Sequence, residues 1–126
     1  MSYSLVFTRL EIPTDDVEAL RWVESKFQGH YDDEREPHSI FQRLHDSLVE
    51  RFPCLSSLPA HERDDAAWVD GPLIKNFSHD LAIVAFHFTC MEDVMPFAVK
   101  TALEVGCSVS DMQGMSVYRP QHDKPN

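Results

Sequence analysis

A chain of 126 residues that is 43% apolar and 10% aromatic has the length of one domain and enough side chain to fill one core, which excludes a disordered segment. Twenty-one acids against eleven Lys and Arg leave a formal charge of −10, which argues against nucleic acid or an anionic membrane as partner and for a basic one. Three cysteines without CxxC spacing imply neither a disulfide framework nor a structural zinc site, and with no basic leader and no apolar run near ~18 residues the expected address is the cytoplasm.

Residues 3–10, YSLVFTRL, are rich in β-branched and aromatic side chains and run towards Pro13, which predicts a first strand. Thr14 then reads as the cap of a helix from Asp15 to Gln28. Asp15, Asp16 and Glu18 stand at the positive end of its dipole, and Val17, Leu20, Val23 and Phe27 form its buried stripe. Gly29 marks the helix end, and HYDDEREPH (30–38) is the densest acidic run, a charged surface connection. Ile40, Phe41, Leu44, Leu48, Val49 and Phe52 repeat at three and four residues up to Pro53, which predicts a second helix from Ser39.

CLSSLPAHERDDAAWVDG (54–71) follows neither period and reads as a long loop with one helical turn between Pro59 and Ala67. After it comes a short strand at Leu73–Phe77, a Ser78-His79-Asp80 turn and a long strand from Leu81 to Phe88. That long strand is apolar on both faces, as a central strand is. Thr89-Cys90-Met91-Glu92 fits a capping box, and the helix it opens has Val94, Phe97, Ala98, Thr101, Ala102 and Val105 inward and Gly106 as terminator. CSVSDMQGMSVYRP reads as two short strand pieces about Asp111–Gly114, and 121–126 as a frayed polar tail. The order β-α-α-β-β-α-β over residues 1–120 predicts one α+β domain, a ferredoxin-like antiparallel sheet with helices on one face. Such a sheet leaves one apolar face of the long strand open, to be covered by the loop that holds Trp68 or by another chain, a homodimer included.

Catalytic signatures are missing from the sequence: there is no G-x-S-x-G elbow, no HExxH and no glycine-rich phosphate loop, so neither a cofactor nor a metal is expected. The charge is uneven, because residues 1–70 hold fifteen acids and seven bases against six and four in residues 71–126. Asp32, Asp33, Glu34 and Glu36, with Glu62, Asp64 and Asp65 behind them, are therefore the expected docking residues for a cationic protein, although runs of acids are most often solvated faces. Trp68 carries two readings: an anchor flanked by acids for that partner, or an indole folded over the open sheet face, which the uncovered apolar surface favours. The rival reading is a small ferredoxin-like enzyme or ligand-binding domain, with a pocket beneath the 54–71 loop lined by His87, Tyr118 and Arg119.

WVDGPL at 68–73 and VSDMQGMSVYRP at 109–120, in a small acidic chain, resemble the immunity proteins that bacteria encode beside contact-dependent or type VI-secreted toxins. Some of those proteins carry a Val-x-Asp-x-Gln ending before a final strand. The resemblance implies tight inhibitory binding of one cognate toxin domain, without turnover or cofactor, and assigns no binding residues.

Overall fold

The computed structural model describes residues 2–120, and the side chains of all of these except Arg63, Asp64 and Asp65. In chain order the elements are strand β1 (Ser2–Thr8), helices α1 (Asp16–Ser25), α2 (Phe27–Asp32) and α3 (Ser39–Arg51), strand β2 (Leu81–His87), helix α4 (Met91–Glu104), and strands β3 (Ser108–Asp111) and β4 (Ser116–Tyr118). The expected α+β class and antiparallel sheet are present, with the strands ordered β2-β1-β3-β4 and every neighbouring pair antiparallel. β2 and β3 flank β1 on either side, and α4 carries the chain from one to the other. The tail at 121–126 lies outside the described residues.

Several local expectations shift. Asp15 rather than Thr14 caps α1, its Oδ2 accepting the Glu18 N–H at 3.0 Å. Val17 is 50% exposed, while Ala19, Leu20 and Val23 form the buried stripe. Gly29 does not end this stretch but lies inside the separate short helix α2. A 3₁₀ turn at Phe88–Cys90 moves the cap of α4 to Cys90, so the Thr89–Glu92 capping box does not form, and Glu92 and Asp93 keep their place in the first turn. At the far end of α4 the expectation holds. Gly106 has φ +90°, its N–H reaches Leu103 O and that of Cys107 reaches Ala102 O, the paired bonds of a Schellman terminator.

Helices cover both faces of the sheet, not one. Tyr3, Leu5 and Phe7 of β1, Val84 and Phe86 of β2 and Val109 of β3 point to the main core, which α3 fills with Phe41, Leu44 and Leu48 and α4 with Val94, Ala98 and Ala102. Side chains alternate along a strand, so Val6 and Leu81 point the other way, where Val23 of α1 meets them with Trp22, Phe27 and Ile83 around it. The second apolar face of β2 is thus closed within the chain by α1.

The strand expected at Leu73–Phe77 is a 3₁₀ turn, Leu73–Asn76. Its flanks nevertheless lie along the outer edge of β2: Trp68 bridges Phe86 and Phe77 bridges Ala82, both antiparallel. Between the bridges this chain takes nine residue steps while β2 takes four, and the surplus loops out as the Asp70-Gly71-Pro72 turn and the 3₁₀ turn. Val69 N–H to Ala85 O at 3.0 Å and His87 N–H to Ala67 O at 2.9 Å fasten one end. Gly71 is needed there because a Cβ would stand 3.1 Å from both Leu55 Cβ and Ser56 N.

Trp68 is fully buried, on the main-core face rather than as a cover for the other one. Its Nε1–H donates to Phe52 O at 2.7 Å, and its ring meets Phe52 and Phe86 edge to face. It has no surface to offer a partner. Trp68→Ala should lower stability by ~3–5 kcal/mol, the range for deleting a large buried aromatic, with the urea midpoint falling at an unchanged m-value; a midpoint near that of the wild type would refute this account of the core.

Candidate functional site

The first expected acidic cluster begins at the end of α2, and its Asp33 is engaged inside the protein. Arg35 donates to Asp33 three times, from its backbone N–H at 2.9 Å, Nε at 3.0 Å and a terminal nitrogen at 2.8 Å. The same terminal nitrogen reaches Asp80 at 3.0 Å, and Asp80 takes Arg9 on its other oxygen at 2.6 Å. Two arginines and two aspartates make one ladder that ties the acidic loop to the turn before β2. Exposed pairs alone contribute little, but a bidentate, shared arrangement is the geometry in which they do. The Arg35 side chain beside it holds the Asp33 carboxyl well below the usual carboxylate range.

The loop is fastened further by histidines. The His79 Nδ1–H donates to Glu36 O at 3.0 Å, His38 stacks edge-on against His79, and His38 Nδ1 accepts the Ile40 N–H, capping α3 with a ring nitrogen. Asp32 accepts from Gln28 at 3.0 Å. Of the four acids, Asp32, Glu34 and Glu36 remain exposed, and Asp33 does not. A cleft of about 320 Å³ beside them is lined by Leu10, Lys26, His30 and Asp80, with Trp22 half-buried beneath the Lys26 ammonium at 5.1 Å.

Glu62, Asp64 and Asp65 are not brought to this cluster. They lie in the 3₁₀ turn Ala60–Asp65, beyond the far end of α3, and the 13 residues of that helix put about 20 Å between its two ends. Glu62 is exposed; the side chains of Asp64 and Asp65 lie outside the described residues. Here a groove of about 380 Å³ opens between the loop and α4. Phe52, Pro53, Leu58, Ala66, Ala67 and Cys90 line it, and Glu62 and Asp93 add carboxylates.

The same end of the sheet carries two exposed apolar side chains, Phe88 and Met115. Phe88, 54% exposed, leaves β2 directly, with its ring centroid 6.3 Å from that of Tyr3. Met115, 64% exposed, sits in the β3–β4 hairpin. That hairpin is fixed by Asp111, whose carboxylate accepts from the Tyr3 hydroxyl at 2.6 and 2.7 Å and from the Gly114 N–H at 2.8 Å. A Cβ on Gly114 would stand 2.5 Å from Asp111 Oδ2. Burial first, then the hydrogen bond and charge of Asp111, pushes the Tyr3 phenol up to about 12.

The groove lies under the 54–71 loop, as the rival reading expects, but His87, Tyr118 and Arg119 do not line it. β4 is at the opposite edge of the sheet, where Arg119 binds Asp16 at 2.7 Å and Pro13 O at 2.8 Å. Cys54 is occupied structurally: its sulfur accepts the Leu73 N–H at 3.1 Å and lies 3.3 Å from Ser56 Oγ. Burial, the largest influence, pushes that thiol up, but those hydrogen bonds outweigh it and bring the thiol below its ordinary value. Among the described residues no three His, Cys, Asp or Glu side chains converge so as to hold a metal ion, and no helix is long and apolar enough to cross a membrane. No family model matches the chain, and no curated protein and no solved structure matches it either.

Phe88 and Asp93 escape sequence reasoning because each has an ordinary structural assignment, a strand end and a helix first turn. In the other cleft, beside the Arg35–Asp80 ladder, His30 gives the protein a pH dependence. Its Nδ1 lies 2.9 Å from Ser78 Oγ, and burial pushes the imidazole below its ordinary value against smaller opposing pulls from Leu81 and Asp33. Between that lowered value and about 6.5 the unfolded chain binds more protons at this site, so stability is lost as pH falls through the window. Urea midpoints measured at about pH 7 and about pH 5 should fall less in His30→Asn, whose amide nitrogen replaces Nδ1 against Ser78, than in the wild type; equal falls would place the titration on other groups.

Proposed function

We propose that this protein is a binding domain of the immunity type, which neutralises a cognate basic toxin domain by occluding it. The observation that carries this reading is the end of the molecule where the apolar groove, Glu62, Asp93, Phe88 and Met115 occur together in a chain of net charge −10. Apolar anchors beside carboxylates are what a tight, charge-steered protein interface requires. The exposed Asp32, Glu34 and Glu36 add to the long-range field that speeds encounter, while Asp33 stays engaged with Arg35. The unit in which β2, α4 and β3 enclose β1 supports a ferredoxin-like relation, with the bridged 67–77 segment in the place of a missing outer strand.

A second reading, a small-ligand domain, draws on the predominantly apolar lining of the groove beneath the loop. The two separate by salt. Against the basic toxin domain encoded by the adjacent gene, association should be fast and should slow steeply with ionic strength. The Glu62→Lys/Glu92→Lys/Asp93→Lys protein should associate at least about tenfold more slowly at low salt, with its thermal midpoint within a few degrees of the wild type. Salt-independent association, or unchanged rates in that variant, would count against docking through these acids.

A further inference from the structure

Resting on that reading, we infer that the groove under the 54–71 loop is the contact point for a lysine or arginine side chain presented between apolar residues of the partner. The groove supplies both halves of such a side chain's needs. Phe52, Leu58, Ala67 and Cys90 form a wall for an aliphatic stem, and Glu62 and Asp93 line the same cavity and receive the charge. At about 380 Å³ the space suits one long side chain and its immediate neighbours rather than a helix or a strand. Phe88, exposed and two residues before the groove-lining Cys90 in the chain, is the apolar side chain available to the residue that flanks the cation.

Charge decides the occupant. Residues 60–65 carry three acids against one arginine, and the exposed Glu92 stands next to Asp93 in the first turn of α4. Arg51, whose guanidinium lies 4.6 Å from the Phe52 ring centroid, is the neighbouring cation and does not balance them. A second copy of this chain would bring the same acids face to face, which opposes self-association here. An uncharged apolar ligand would leave the carboxylates without a counter-charge.

The probe is a synthetic octapeptide of alternating leucine and lysine, with leucine–glutamate and serine–lysine octapeptides as controls. In ¹⁵N spectra the leucine–lysine peptide should shift the amides of Ala66, Ala67 and Cys90, and the controls should not. Glu62→Gln/Asp93→Asn should weaken its binding about five- to thirtyfold, the effect of losing one to two charge-assisted contacts. A second readout does not depend on the charge variants. In a Cys54→Ser background, alkylation of the half-buried Cys90 should slow in saturating leucine–lysine peptide and not in leucine–glutamate peptide. Shifts elsewhere only, equal binding of the controls, or unprotected Cys90 would overturn the assignment. If it is overturned while the toxin domain still associates in a salt-steep manner, the groove assignment alone falls and the immunity reading stands; if salt-steep association is absent as well, both fall.

Discussion

The hydrogen bond from the Trp68 indole to the carbonyl of Phe52 is the constraint on which the architecture turns. Phe52 is the residue that ends α3, and Trp68 is bridged to Phe86 in β2, so one bond joins the end of a helix to the margin of the sheet across the whole irregular segment between them. A long connection with little regular structure has to be anchored by something other than a ladder of backbone bonds. Here a fully buried aromatic does it, with Phe52 and Phe86 packed edge to face against the indole. The groove is bounded on one side by Ala66 and Ala67, which this anchor and the bond from His87 N–H to Ala67 O hold beside β2, and on the others by Leu58, Glu62 and the start of α4 at Cys90 and Asp93.

The acids divide by what surrounds them. Near the start of α3 the ladder from Arg9 through Asp80 and Arg35 to Asp33 turns charge into structure, and it holds the connection between α2 and α3 against the turn that precedes β2. At the other end of α3 the carboxylates stand around apolar side chains. A charged group in the first setting is largely cancelled by its neighbours; in the second its field extends outward into solvent.

Much of this was legible in the residues, and the failures have physical causes. α3 was readable because its apolar stripe is unbroken and Pro53 stops it; the end of α4 was readable because Gly106 takes a conformation few other residues adopt. The apolar character of both faces of β2 was plain, but which element would close the second face was not. In α1, Val17 fits the helical period and is exposed, while Ala19 packs. Leu73–Phe77 offers Leu, Ile and Phe to a strand reading but is too short to outweigh the surplus chain that must loop out between two bridges. The pairing of the acids was hidden for a different reason: Asp33 and Arg35 are two apart, but Asp80 is 45 residues from Arg35 and 71 from Arg9. Composition counts charges and does not say which of them meet.

The two lateral margins of the sheet have a consequence for how the molecule associates. A strand edge with regular free amides invites another chain to add itself as the next strand, and repeated addition leads to fibres. Along β2 that invitation is withdrawn by a bridged segment too irregular to template a neighbour. Along β4 it is withdrawn by a strand only three residues long, followed at once by an arginine tethered to α1 and by Pro120. Backbone addition is disfavoured on both flanks, so association of this chain with another would have to run through its side chains.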